Sequence, residues 1–168
     1  MQTSDKFRSG KRSNAAGFTL IELLIVVAVI MVIAGIAIPN FIRSKMRANE
    51  SNAVSNLRTI STANVVYNTT YGGFFAPTLV TLAGDPAIPS ATAAGLIDSV
   101  LASGVKAGYI FTYAPLAKDS NGNAQAFSVN ADPVAPGTTG DRHFYIDQTG
   151  VIRQNLTAAA SGSDAPIQ

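Results

Sequence analysis

From Phe18 to Ile38 the chain reads FTLIELLIVVAVIMVIAGIAI, twenty-one residues in which Glu22 is the one charged position. At about 1.5 Å of rise per residue, a helix over this run is about 30 Å long, the thickness of a bilayer's hydrocarbon core. The many Ile and Val residues do not argue for a strand, because a segment in lipid must satisfy its own backbone hydrogen bonds and a lone strand does not. Beyond Pro39 the pattern changes. Ile42, Met46, Ala53, Leu57, Ile60 and Tyr67 recur at spacings that share one helical face, with Asn49 and Asn64 in the two gaps. Arg43, Lys45, Arg47, Asn52, Ser55 and Arg58 occupy the opposite surface, which suits water or a polar neighbour. A proline inside a helix removes one hydrogen bond and crowds the preceding turn, so Pro39 ends the helix or kinks it. The continuing pattern predicts a kink, and hence one interrupted helix from Phe18 to about Tyr67, stopped by Gly72-Gly73.

Residues 72–107 are rich in Pro, Gly, Ala and Thr and read as a connecting region with one short helix from about Thr92 to Ala102. From there the period becomes two. Tyr109, Phe111 and Tyr113 fall on one face of a strand, and Phe127 and Val129 on one face of the next. Asn121-Gly122 between them predicts a hairpin turn, since both residue types tolerate positive φ. After the break from Asp132-Pro133 to Thr139-Gly140, Arg142–Ile146 and Val151–Arg153 supply two more strands around the turn Asp147–Gly150. The expected fold is therefore α+β: a long N-terminal helix, membrane-spanning in its first half and kinked near Pro39, packed on an antiparallel sheet of about four strands. One sheet face should bury Phe111, Phe127, Phe144 and Ile146 against Leu57 and Ile60. The segments run 1–17 (basic leader), 18–38 (apolar helix), 39–71 (amphipathic helix), 72–107 (connection), 108–156 (sheet) and 157–168, a small polar stretch expected to lack fixed structure.

Charge is distributed unevenly. Lys6, Arg8, Lys11 and Arg12 against Asp5 put +3 in the first seventeen residues, so the formal +2 of the whole chain leaves −1 for the remainder. A body so near neutrality has no net-charge drive towards nucleic acid on its own, and Lys106, Lys118, Arg142 and Arg153 are scattered along the head. There is no cysteine, which excludes disulfides and thiolate metal sites.

Glu22 is the anomaly of the apolar run. A carboxylate within a membrane helix costs up to about 2.5 to 3.5 kcal/mol at the centre and less near an end, so such a residue has a partner or a task. Two plainer readings stand beside a functional one. Gly35-Ile36-Ala37 has the small-residue spacing of a signal-peptide cut after Ala37, although the apolar run is longer than an ordinary h-region and carries an acid. A simple unprocessed anchor leaves Glu22 without a role. The flanking charges do not decide orientation, because Arg43, Lys45 and Arg47 follow the span as closely as the leader's cations precede it.

Gly17-Phe18-Thr19-Leu20-Ile21-Glu22-Leu23-Leu24-Ile25-Val26-Val27, behind a short basic leader, resembles the processing site of type IV prepilins and the related pseudopilins. The resemblance covers about the first third of the chain. It implies that a prepilin peptidase cuts between Gly17 and Phe18 on the cytoplasmic side, and that the new Phe18 amine is then methylated. It supplies Glu22 with a partner, the Phe18 amine of a neighbouring subunit in a helical homo-oligomeric filament. Gly35 and Pro39 match the positions between which relatives lose helix on assembly. The implied precursor is a single-pass inner-membrane protein with a cytoplasmic leader and a periplasmic or extracellular head, and its mature form lies in a surface pilus. Its partners would be the peptidase, the pilus or secretion assembly platform, and the membrane. The implied function is a structural pilus subunit serving adhesion, motility or DNA uptake. The alternatives are a pseudopilin of a type II secretion system and a minor or tip pilin acting as a binding module. The absence of tryptophan and of a matching calcium loop favours the pilus.

Signals for other chemistry are weak. Asp119, Asn121 and Asn123 alternate like the start of a calcium loop, but Gly122 comes too early and Asn130 stands where a bidentate Glu is needed. His143 is the lone histidine, which rules out a two-histidine metal site. No nucleophile-elbow, P-loop or dinucleotide fingerprint occurs, so neither an enzyme nor a cofactor is expected. The helix carries no aromatic residue between Phe41 and Tyr67, so its aromatic side chains are expected to pack ordinarily rather than stack continuously.

Overall fold

A computed structural model of the chain describes residues 17–167. The expected basic leader, apart from Gly17, lies outside the described residues, as does Gln168. The chain divides at Pro39/Asn40 into two units. Helix α1, Leu20–Thr70, has Pro39 inside it, so the proline does not terminate the helix. In the first unit the apolar side chains from Phe18 to Ile38 are nearly all exposed, and α1 is the one described helix long and apolar enough to cross a membrane.

The second unit holds the core. The remainder of α1 buries Met46, Ala53, Leu57, Ile60, Ala63 and Tyr67, the face that the spacing predicts, but Ile42 stays exposed. The helix stops where Gly72 and Gly73 take φ of 106° and 82°, and the Gly73 amide reaches back to the Asn68 carbonyl at 2.8 Å. This six-to-one bond satisfies a carbonyl that the helix end would otherwise orphan.

Five strands follow as an antiparallel meander in the order β1-β2-β3-β4-β5: Val105–Lys106, Tyr109–Lys118, Ala124–Pro133, His143–Asp147 and Arg153–Asn155. Four of them answer to the expected strands; the two-residue β1 is too short for its period to be read. Tyr109, Phe111, Phe127, Val129, Phe144 and Ile146 share the inner face and close the core with Leu57 and Ile60, as the alternation predicts. Leu57 has no exposed surface, so Leu57→Ala should cost about 2 to 5 kcal/mol, read as a lower denaturation midpoint of the full chain in detergent.

The structure departs from the sequence reading in four places. The hairpin turn is longer than an Asn-Gly pair implies. Gly122 alone takes positive φ, while the Asp119 carboxylate accepts the amides of Asn121 and Asn123 at 2.9 and 2.8 Å. The short helix α2 covers Ser99–Ala102 and not Thr92–Ala102, because Asp98 caps it and residues 94–96 are tied by backbone hydrogen bonds to the 3-10 turn Val80–Leu82 and to Ala83. Strand β5 lies two residues later than expected, since the Asp147 carboxylate and carbonyl hold Thr149 and Gly150 in the turn and Ile152 turns into the core. Residues 157–167, expected to lack fixed structure, form a strap. Ala160 is buried with its carbonyl on Asn130 Nδ2, the Ala165 carbonyl accepts the Gln154 amide, and the Ile167 amide donates to Ile152. Composition misses this because the strap is held mostly by backbone groups and by the Asp164 carboxylate, which gathers Ser161 and Asn155, with Ile167 alone among its large apolar side chains packing on the core.

Candidate functional site

Two groups of side chains stand apart from ordinary packing, one in each unit. At the start of α1, Glu22 Oε2 accepts both the Thr19 amide and the Thr19 hydroxyl at 2.8 Å, and the Glu22 amide donates to Thr19 Oγ1 at 3.2 Å. This is a capping box: two helix-end donors are satisfied reciprocally by the N-cap threonine and the third helical residue. Thr19-Leu20-Ile21-Glu22 has the sequence form of that motif, so the signal was available and the sequence reading missed it. Glu22 Oε1 has no hydrogen-bond partner among the described residues. Gly17 and Phe18 precede the helix, with Phe18 89% exposed. A Cβ built on Gly17 or on Gly35 meets nothing within 4 Å, so neither glycine is required by packing among the described residues.

The second group centres on Glu50, which no sequence argument singled out. Its side chain is 8% exposed. It accepts the amides of Asp141 and Arg142 at 3.0 and 3.3 Å and the Arg142 guanidinium at 2.8 Å, tying α1 to the loop that leads into β4. Burial would raise its pKa, but the Asp141 and Arg142 donors outweigh that and hold it below the usual 4.5. Arg142 also reaches Gln154 Oε1 at 3.1 Å and lies over the Phe144 ring. The available signal was position: Glu50 comes four residues after Met46 and three before Ala53, on the apolar stripe itself. Asn49 and Asn64, the polar gaps of that stripe, also serve as ties. Asn49 Nδ2 donates to the Thr139 carbonyl, and Asn64 Oδ1 accepts the Tyr113 hydroxyl and the Ala76 amide.

His143 Nδ1 pairs with Asp132 Oδ1 at 2.6 Å on the outer sheet face. Among its described residues, the first unit, which holds Gly17, Phe18, Glu22, Gly35 and Pro39, presents an exposed apolar surface with one carboxylate, Glu22, near the start of α1.

Residues 12–38 match a family model described as the prokaryotic N-terminal methylation motif. Over 47 residues the chain is 57% identical to the type IV major pilin protein PilA of Myxococcus xanthus, covering 28% of this chain and 21% of that protein. It is 55% identical over 38 residues to the type IV wide pilus major component PilA4 of Thermus thermophilus, covering 23% and 29%. It is 33% identical over 67 residues to the type II secretion system core protein G of Escherichia coli, covering 40% and 41%. The chain thus matches well under half the length of each of these relatives. No solved structure matches it. On these grounds the chain carries a prokaryotic N-terminal methylation motif that runs into α1, and its N-terminal part is similar to those of two type IV pilins and a type II secretion core protein, while an antiparallel sheet follows the helix.

Proposed function

We propose that this chain is the structural subunit of a type IV pilus, cut between Gly17 and Phe18, methylated on the Phe18 amine and polymerised through its apolar helix. The observation that carries the reading is an apolar run left exposed from Phe18 to Ile38, with Glu22 near its start and the Glu22 Oε1 unpartnered among the described residues. Such a surface is stable in a bilayer or against its own copies and nowhere in water. Transfer from the first setting to the second converts a membrane precursor into a filament. The Phe18 amine of a neighbouring copy is the cation that fits Glu22: the pair sets register, since desolvation offsets much of its Coulomb energy. Gly35 and Pro39 serve as the point where the apolar helix gives way during assembly, one lacking a side chain and the other an amide.

A secretion pseudopilin is the second reading, supported by the likeness to core protein G. The two pilin relatives match at 57% and 55% identity against 33%, which favours the pilus. Shearing and electron microscopy of cells expressing the chain separates these readings: long surface fibres composed mainly of this chain support the pilus subunit, and their absence with the chain confined to the envelope contradicts it.

Cleavage has its own test. Because a Cβ at Gly17 meets nothing within 4 Å, Gly17→Leu should leave the fold of the described residues undisturbed and act at the cleavage step. Full-length precursor should accumulate in the membrane in place of the mature form, detected by mass spectrometry, and normal maturation would contradict the assignment of the cut.

A further inference from the structure

Arg43, Lys45 and Arg47 lie within nine residues of Ile38, the last position of the apolar run. All three are exposed. None makes a side-chain hydrogen bond or ion pair among the described residues, where the ion pairs are Lys106–Asp98, Arg142–Glu50 and His143–Asp132. The head therefore folds without them. Arg43 and Arg47 do border a cleft of about 480 Å³ shared with Glu50, Asp141 and Arg142, but the Glu50 carboxylate is already committed to Arg142 and two backbone amides. Just before them Phe41 is 69% exposed, again with no aromatic partner among the described residues.

Resting on the membrane-anchored reading above, we propose that Phe41, Arg43, Lys45 and Arg47 form an interfacial collar that binds the anionic headgroups of the leaflet on the head side of the membrane. Placement along the helix supports this. The headgroup zone extends about 5 to 8 Å beyond the hydrocarbon on each side, and long basic side chains reach back several ångströms towards it. An aromatic ring followed by cations is the composition of such a boundary. Placement around the helix decides between lipid and protein. At about 100° per residue, Arg43 and Arg47 are about 40° apart while Lys45 is about 200° from Arg43. A protein partner docks on one side of a helix, whereas a headgroup layer surrounds it. The collar also accounts for three cations on a flank where positive charge opposes translocation: their attraction to anionic lipid there offsets the cost.

The chain contains no tryptophan, so Phe41→Trp introduces a single indole at the collar. The full-length Phe41→Trp chain is reconstituted in phosphatidylcholine vesicles containing a minor fraction of brominated phosphatidylglycerol or brominated phosphatidylcholine, both of which quench at contact. Quenching by the anionic lipid should exceed that by the neutral one by about fivefold in effective local concentration. The excess should vanish when Arg43→Gln, Lys45→Gln and Arg47→Gln are combined, and shrink in high salt. Equal quenching by the two lipids, or an excess that survives the triple substitution, overturns the collar. So does a triple variant whose main change is weaker self-association in detergent, which would make a second copy the occupant. Failure of the chain to resist carbonate extraction from the vesicles would instead sink the membrane-anchored reading, and so the two failures are distinguishable.

Discussion

Cells carrying Glu22→Ala should hold the chain in the membrane at normal levels while displaying less than about a tenth of the wild-type yield of surface filaments. Within the subunit the carboxylate only caps the first turn, accepting two donors from Thr19. Losing a cap costs about 0.5 to 2 kcal/mol at a helix end, too little to unseat a span of this length. In the proposed filament the same carboxylate would be desolvated against a neighbour's amine. Truncating one partner of a buried, hydrogen-bonded charge pair costs about 2 to 5 kcal/mol, and in a polymer the loss recurs at every subunit. Glu22→Gln separates the two roles, because glutamine also closes a capping box but carries no charge. It too should give few filaments. Sheared-fibre yield measured against total membrane-bound chain reads both variants, and fibres of normal yield from either would contradict the pairing.

The second large effect concerns Glu50. In Glu50→Ala the amides of Asp141 and Arg142 lose their acceptor, and the guanidinium of Arg142, whose side chain is 41% exposed, turns to water. Unsatisfied part-buried amides dominate the cost, which we place at about 2 to 4 kcal/mol. On a unit of this size that is about 10 °C in Tm, measured by thermal unfolding of the full chain in detergent. Lys106→Ala is the control. Its pair with Asp98 is 32% and 49% exposed, so breaking it should cost no more than about 1 kcal/mol.

The pH dependence follows from the same geometry. Glu50 has a folded pKa lowered from 4.5, despite burial, by the amide and guanidinium donors. A depressed carboxylate stabilises the fold above its unfolded pKa, and that contribution is lost as pH falls through the lower folded value. The stability gap between wild type and Glu50→Gln should therefore be constant near neutral pH and narrow below about pH 4.5. A gap unchanged down to about pH 3 would show that Glu50 acts by shape alone.

Legibility tracked the strength of local periodicity. The apolar run, the helical stripe through Leu57 and Ile60, and the inward alternation of Phe111, Phe127, Phe144 and Ile146 are repeated signals, and the structure places those residues accordingly. Glu50 was hidden because its donors, Asp141 and Arg142, are about ninety residues away, and a charged residue on a stripe looks like an interruption until its partner is known. The strap at 157–167 was hidden for a related reason, since its ties are carbonyls and amides that composition does not record. The shift of β5 arose from Asp147, whose turn absorbs two residues more than the alternation suggests. At the N-terminus the motif was legible in full, whereas the reciprocal bonding of Thr19 and Glu22 was overlooked because Glu22 was weighed as a membrane charge and not as a helix cap.

The proposed assembly depends on an N-terminal amine at Phe18 that pairs with Glu22 of a neighbouring copy. Fibres sheared from the cell surface, dissolved and read by N-terminal mass spectrometry, test this directly. The account predicts a chain that starts at Phe18 with a methylated amine. A chain that still starts at Met1, or one that starts at Ile38, would contradict it.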